Sequence, residues 1–397
     1  MFEREVNPEG ATQADVVVGF ATYKEADAIA VPARASDEGL VKYFGKEKGA
    51  LLVCDNASPD DTEGAFLSLP TRNPKIYVST PKGVAGKGYN FENMFRKALE
   101  LNARMLLCID GDIRSITPEW IRHFGSAIDG GYDLATPIYS RHKYDGTITK
   151  SICYPTVYGI LGHNVRQPIG GDFALSRKLL SYLVTRTWHR AAEEYGVDIF
   201  LSTSSILGGF RVAEVGLGRK EHKASAPKLG PMFAQVVETL FLLVTRHFQD
   251  WSRNTVLYTP PLFGLRHLGE PQELVVDREK IRGSAVEGFR ERGGDLAKFL
   301  DAGRMKRVEK MFAAGEPEID IELWVDLVWD LLAAFAQAED RPAVVEALRC
   351  LYFGRVYSFM GETWEMSTEE AEGVVLEGAK RFRAKRGELI KRLGEVL

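Results

Sequence analysis

Met105-Leu106-Leu107-Cys108-Ile109-Asp110-Gly111-Asp112 is an apolar run that ends abruptly in two carboxylates. Its first five residues are short, uncharged and apolar throughout, the pattern of a strand buried on both faces. The same pattern recurs upstream at 15–20 (Asp15-Val16-Val17-Val18-Gly19-Phe20), at 51–54 (Leu51-Leu52-Val53-Cys54) and at 76–78 (Ile76-Tyr77-Val78). Between these runs, 39–44 reads as helix, and Phe91, Met94, Phe95, Ala98 and Leu99 follow the i, i+3, i+4, i+7, i+8 spacing of a helix face. Strand, helix and strand in alternation predict an α/β fold, a mostly parallel Rossmann-like sheet with helices on both faces. In such sheets ligands bind beyond the carboxyl ends of the strands, so the residues after each run are where chemistry is expected.

Composition narrows the setting. The 397 residues are 45% hydrophobic and 27% charged, with 51 Lys+Arg against 55 Asp+Glu and a formal net charge of −4. A chain this length fits two domains better than one or three. A near-neutral balance gives no overall field to draw it to nucleic acid or an anionic membrane. No run of about 18 uncharged apolar residues occurs, so no membrane span is expected. The amino-terminal residues lack a basic region followed by an apolar core, so no secretory signal is read there and a cytoplasmic location is expected. Cys54, Cys108, Cys153 and Cys350 show neither a CxxC pair nor a framework spacing, and read as reduced core residues. No internal repeat or low-complexity tract is present.

At the strand tips, 51–54 leads into Asp55-Asn56-Ala57-Ser58-Pro59-Asp60-Asp61-Thr62. Ser58 is suited to cap a helix, Pro59 to its first turn and Asp61 to complete a capping box, which leaves Asp55 at the tip. Asp110 and Asp112 alternate along an extended chain and so project to one side, with Gly111 leaving room between them. Asp-Gly-Asp alone is also a common solvated turn; here a buried strand precedes it. Two same-side carboxylates repel unless a cation sits between them, and oxygen ligands suit Mg²⁺ or Mn²⁺ carrying a diphosphate. Gly83-Val84-Ala85-Gly86-Lys87-Gly88, just before a helix starting near Tyr89, reads either as an anion-facing loop or as a plain glycine turn with an exposed lysine. It is not a Walker A loop, because Gly88 follows Gly-Lys, nor a GxGxxG fingerprint, because Phe91 takes the last position.

These segments together resemble the GT-A nucleotide-sugar glycosyltransferases. Val17-Val18-Gly19-Phe20-Ala21-Thr22-Tyr23-Lys24-Glu25, the Asp55 to Thr62 stretch and Asp110-Gly111-Asp112 carry the likeness. Gly86-Lys87-Gly88, Gln167-Pro168-Ile169-Gly170-Gly171-Asp172, Tyr195-Gly196-Val197-Asp198 and Gly218-Arg219-Lys220-Glu221-His222 are similar, in the same order, to segments of glucosyl-3-phosphoglycerate synthases and mannosylglycerate synthases. The likeness covers roughly 15–230. It implies that Ala21, Tyr23, Glu25 and Asp55 hold the nucleoside, that Gly86 and Lys87 lie against the donor, and that Asp110 faces the ribose. Asp112 and His222 would ligate the divalent metal; by itself, a histidine in Lys-Glu-His-Lys reads as a surface residue. Asp198 matches an aspartate that approaches the transferred sugar and would stabilise positive charge there, the alternative being a cap on a helix starting at Ile199.

On the acceptor side the likeness points to Arg141, Thr147, Thr149, Gly170, Gly171 and Asp172, the last accepting from substrate hydroxyls. The chain departs from the phosphoglycerate enzymes in carrying Gly146-Thr147-Ile148-Thr149 where they tend to have Gly-Arg-Val-Thr, so Thr147 replaces a phosphate-binding arginine. Ala224 follows Lys223 where asparagine is usual. Both departures favour an unphosphorylated acceptor, with Lys143, Lys150 and Lys223 as compensating cations to be tested. The domains expected are 1–230, a GT-A nucleotide-sugar-binding and catalytic domain, and 231–397, mainly helical, covering the acceptor or forming a dimer face. Within the latter, Phe233, Val236, Val237, Leu240 and Phe241 share a face, as do Val328, Leu331, Leu332 and Phe335. The expected function is metal-dependent, retaining transfer of glucose or mannose from a GDP- or UDP-linked sugar to D-glycerate or a related small hydroxy acid, compatible-solute chemistry by a homodimer. The alternatives are a glucosyl- or mannosyl-3-phosphoglycerate synthase and, from another class, a non-catalytic nucleotide-sugar-binding regulatory protein.

Overall fold

The computed structural model describes residues 2–223 and 229–397, and the chain divides into two compact units. The first comprises 1–141, 167–226 and 260–272 and holds a nine-stranded sheet. Its strands are β1 (Arg4–Val6), β2 (Val16–Thr22), β3 (Gly49–Asp55), β4 (Lys75–Ser79), β5 (Met105–Asp110), β6 (Leu134–Ser140), β7 (Phe173–Ser176), β8 (Val212–Arg219) and β9 (Leu262–Gly264), in the order β1-β4-β3-β2-β5-β7-β6-β8-β9. The four apolar runs read from the sequence are β2 to β5, mutually parallel and adjacent; β1 and β7 run antiparallel to their neighbours. The mostly parallel sheet expected from the sequence is therefore present.

Alternation along these strands divides the core. Val16, Val18, Phe20, Leu51, Val53, Met105, Leu107 and Ile109 join one buried cluster with the helices Ala30–Phe44 and Pro118–Asp129. The intervening positions face the helix Lys87–Glu100, whose Phe91, Met94, Phe95 and Ala98 are buried; Leu99 is only half-buried. Register then sets the site: Thr22 pairs with Asp55 and Ala21 with Asp110, so the carboxyl ends of β2, β3 and β5 lie level. β2 is flanked by β3 on one side and β5 on the other, which makes its tip the point where strand order reverses and a crevice opens.

The second unit comprises 142–166, 227–259 and 273–397 and is helical. Its centre is the helix Ile321–Gln337, in which Leu323, Trp324, Val325, Leu327, Val328, Trp329, Leu331, Leu332 and Phe335 are all buried. Both tryptophan N–H groups find carbonyls, Trp324 that of Ser151 at 2.7 Å and Trp329 that of Lys385 at 3.2 Å, so these aromatics are core of this unit. The carboxy-terminal region is not helical throughout: β9, too short to show a period, extends the first unit's sheet. All four cysteines are buried and unbonded to one another. No described helix is long and apolar enough to cross a membrane.

Candidate active site

Asp55 ends β3 and is fully buried, with both carboxylate oxygens engaged. Oδ1 accepts from the hydroxyls of Thr22 and Ser58 at 2.7 Å each, and Oδ2 from the Ser58 N–H at 2.6 Å and the Tyr77 hydroxyl at 3.1 Å. Asp55 thus ties the ends of β2 and β3 to the following loop. This corrects the capping expectation: with Ser58 held by Asp55, the helix starts at Thr62 and Asp61 caps it by accepting from the Gly64 N–H. Of the other nucleoside-side residues, Tyr23 is 47% exposed, and Glu25 is half-buried with its carboxylate 2.7 Å from Lys223 Nζ. Burial pushes the Glu25 carboxyl up from its ordinary value.

Gly86 and Gly88 have a steric role. A Cβ on Gly86 would stand 2.3 Å from the Glu193 carbonyl oxygen, and one on Gly88 2.1 Å from that of Ala192. The loop therefore lies directly on backbone of the helix Arg190–Glu193, and the helix begins at Lys87 rather than near Tyr89. Gly88→Ala should lower stability by about 1–3 kcal/mol, because backbone cannot yield as a side chain does; a thermal melt within a degree of wild type would show that the loop has slack.

Lys87 turns inward. Its Nζ lies 2.9 Å from Asp110 Oδ1 and 3.3 Å from Asp198 Oδ1. A second lysine meets the same carboxylate: Lys220 Nζ is 2.8 Å from Asp110 Oδ2, 2.9 Å from Asp172 Oδ2 and 2.9 Å from the Gly170 carbonyl oxygen. Asp172 is fully buried; Oδ1 accepts from the Asp110 N–H at 2.7 Å and Oδ2 from the Tyr139 hydroxyl. The hydroxyl that Asp172 accepts from here is that of Tyr139. Burial opposes charge on Lys87 and Lys220, but the surrounding aspartates outweigh it and hold both ammonium groups above their ordinary values. Asp110 is held down, the two lysines outweighing the effect of burial, whereas burial raises Asp198. Three aspartates and two lysines thus form one cluster at the carboxyl end of β5, with Asp172, Asp198 and Lys220 buried and Lys87 and Asp110 partly exposed.

Asp198 is not a helix cap. The helix runs Val197–Leu207 with Gly196 at its N-cap, and Asp198 lies within the first turn facing Lys87. Asp112 stands beyond the end of β5 in a turn, so strand alternation does not carry across Gly111; that glycine is required because its Cβ would meet Thr22 Cγ2 at 2.8 Å and the Ala21 carbonyl oxygen at 3.0 Å. Asp112 Oδ2 accepts from the Lys223 N–H at 3.2 Å, and burial followed by the Asp110 charge raises its carboxyl. His222 Nδ1 is 2.7 Å from the Lys223 carbonyl oxygen, which can only accept, so Nδ1 carries a proton and, in the neutral ring, Nε2 is the nitrogen left with a lone pair. That tautomer, beside a carboxylate disfavoured in its charged form, fits a divalent cation. Among the described residues no group of three or more His, Cys, Asp or Glu is placed to hold a metal. A cation at Asp112 and His222 would need its remaining ligands from substrate or water, as Mg²⁺ and Mn²⁺ commonly do at diphosphates.

On the acceptor side, Arg141, Gly170, Gly171 and Asp172 belong to the first unit, and Thr147 and Thr149 to the second. Arg141 is half-buried and its charge is felt by Tyr139 and Lys220. In the second unit Thr149 is buried and the Thr147 hydroxyl is bonded to that of buried Tyr352. The compensating lysines are committed elsewhere: Lys143 Nζ donates to the carbonyls of Thr363, Trp364 and Met366, Lys150 Nζ to those of His142 and Lys143, and Lys223 Nζ pairs with Glu25 and Asp27. Ala224 lies outside the described residues. Lys220 and Tyr139 were not singled out in the sequence: β8 carries Glu214 and ends in Arg219, so no uninterrupted apolar run marks Lys220 as the runs before Asp55 and Asp110 mark those two.

The mostly parallel sheet and the Asp110-Gly111-Asp112 strand end agree with what the resemblance to GT-A nucleotide-sugar glycosyltransferases implied. Residues 62–241 match the family model of the mannosylglycerate synthase GT domain. The chain is 28% identical over 212 residues to glucosyl-3-phosphoglycerate synthase of Mycobacterium tuberculosis, covering 48% of this chain and 62% of that one. It is 26% identical over 134 residues to mannosylglycerate synthase of Rhodothermus marinus, covering 32% and 34%. The chain thus spans about three-fifths of the length of the first of these relatives and a third of the second. A crystal structure of the M. tuberculosis enzyme in complex with Mn²⁺, uridine diphosphate and glucosyl-3-phosphoglycerate is similar with a TM-score of 0.47 and 25% identity, covering 58% of this chain and 80% of that one.

Proposed function

We propose that the protein transfers a hexose, glucose or mannose, from a UDP- or GDP-linked donor to D-glycerate or a closely related small hydroxy acid, with a divalent metal at Asp112 and His222. The observation that carries this reading is the carboxylate and lysine cluster at the tips of the parallel strands, with the Asp112 and His222 pair beside it. The names of the relatives divide between phosphoglycerate and glycerate products. When bound, the cation would neutralise charge on the departing diphosphate. Lys87, held charged by Asp110 and Asp198, is the protein's own cation for that charge, while Asp198 orients the sugar and tolerates positive charge at its anomeric carbon. No described nucleophile stands in a strongly activated setting, so same-face attack, with the diphosphate taking the acceptor's proton, is the favoured route to retention. A homodimer in the cytoplasm is the expected form.

Glycerate is preferred over 3-phosphoglycerate because Thr147 carries no charge and is bonded to Tyr352, while Lys143, Lys150 and Lys223 are already engaged. Absence of a charge-assisted phosphate contact should leave glycerate favoured by about ten- to a hundredfold in kcat/KM. The check is a comparison of the two acceptors with each of UDP-glucose, GDP-glucose and GDP-mannose; faster use of phosphoglycerate would assign the protein to the phosphoglycerate synthases. Failure of either acceptor to release nucleoside diphosphate would favour the regulatory reading.

A further inference from the structure

Lys220 brings three segments to one point. It is the first residue after β8, its side chain is 4% exposed, and its ammonium meets the end of β5 through Asp110 and the turn before β7 through both Gly170 and Asp172, at 2.8–2.9 Å. The turn is pressed onto this contact. Gly171 has φ +92°, and a Cβ there would stand 2.4 Å from Asp110 Oδ2 and 2.6 Å from Lys220 Nζ. The Asp110 N–H closes the same ring on Asp172 Oδ1 at 2.7 Å, and the Tyr139 ring lies 5.0 Å from the ammonium. A side chain at 171 would push into the ion pair, and of the groups that hold the turn to Asp110, the Asp110 N–H and Lys87, whose Nζ is 3.4 Å from the Gly171 carbonyl oxygen, each make one contact with the turn, while the Lys220 ammonium grips both Gly170 and Asp172. The separation of Asp110 from the turn matters under the function proposed above, on which this inference rests: Asp110 stands on the donor side and the 170–172 turn on the acceptor side.

We infer that Lys220 is a positioning residue, which sets the spacing between the donor and acceptor halves of the site without touching the reacting atoms. Its ammonium is saturated by protein oxygens and has no proton to offer a substrate. Its loss removes the three hydrogen bonds by which one side chain clamps Gly170 and residue 172 to Asp110, which frees the turn to move even where residue 172 is neutral. A displacement of about an ångström between reacting groups is enough to reduce turnover about a hundredfold, with ground-state binding of one substrate untouched.

Lys220→Met alone leaves Asp172 buried with no cation, and simple unfolding would mask the effect. The test therefore uses Lys220→Met/Asp172→Asn against Asp172→Asn, with three readouts: the thermal melt, calorimetric binding of UDP with Mn²⁺ and of GDP with Mn²⁺, and steady-state transfer to glycerate. Expected are a melt within a few degrees of Asp172→Asn, nucleotide binding within about threefold, and kcat lower by about a hundredfold. Unchanged kcat in the folded double variant would make Lys220 a stability residue only and overturn the inference. Parallel loss of nucleotide binding and kcat would overturn it also, placing Lys220 in donor binding. Should wild type bind nucleotide but transfer nothing, the proposed function itself fails, an outcome distinct from either.

Discussion

Asp112→Asn and His222→Ala should each reduce metal-stimulated transfer by more than about a hundredfold while the protein remains folded. Asparagine keeps the size of Asp112 and its contact with the Lys223 N–H but withdraws the charge a divalent cation needs. The direction of the stability change is also set. Burial and the neighbouring Asp110 raise the Asp112 carboxyl, so its ionised form works against folding at any pH above that raised value. Asp112→Asn should therefore melt at the same temperature as wild type or higher at neutral pH. Activity is measured across a Mn²⁺ series alongside Mn²⁺ binding in the presence of UDP or GDP. Full Mn²⁺-stimulated turnover in both variants would show that the metal site lies elsewhere.

Asp198→Asn should lower kcat by on the order of 10²–10³-fold, the range seen when one preorganised electrostatic group is removed, with thermal stability unchanged. The helix starts at Val197 and is capped by Gly196, so asparagine disturbs no cap, and Lys87 keeps Asp110 as its partner. A pH signature accompanies this. Burial pushes the Asp198 carboxyl up, so a step that needs it ionised should fail on the acid side at a higher pH than an ordinary aspartate would impose. That acid limb should disappear from the residual activity of the variant. A near-normal kcat would leave Asp198 as a structural partner of Lys87.

What the sequence disclosed follows from which interactions are local. Strands buried on both faces must be apolar throughout, so β2, β3, β4 and β5 stand out, and their parallel order fixes which ends carry chemistry. The helix Lys87–Glu100 was legible from its spacing for the same reason. The partners of charged groups were not legible, because they depend on strands far apart in the chain. Asp55 reads as a ligand-facing tip, yet Thr22, Ser58 and Tyr77 converge on it. Asp172 reads as an acceptor for substrate hydroxyls, yet Tyr139 and Lys220 take its oxygens. Gly86 and Gly88 look like an anion loop because glycine serves close backbone approach of any kind, here that of Ala192 and Glu193. Segment 142–166 clusters with the helical unit through pairs such as Arg166 with Glu372, a separation no local pattern can reveal.

The central claim, hexose transfer to glycerate, is tested most directly by mass analysis of the products from purified protein, each of UDP-glucose, GDP-glucose and GDP-mannose, D-glycerate and Mn²⁺, with and without a chelator. The account predicts a product whose mass equals one hexose plus one glycerate less water, formed with one equivalent of nucleoside diphosphate and suppressed by the chelator. Tight binding of the nucleotide sugars with no such product from glycerate or 3-phosphoglycerate would contradict it.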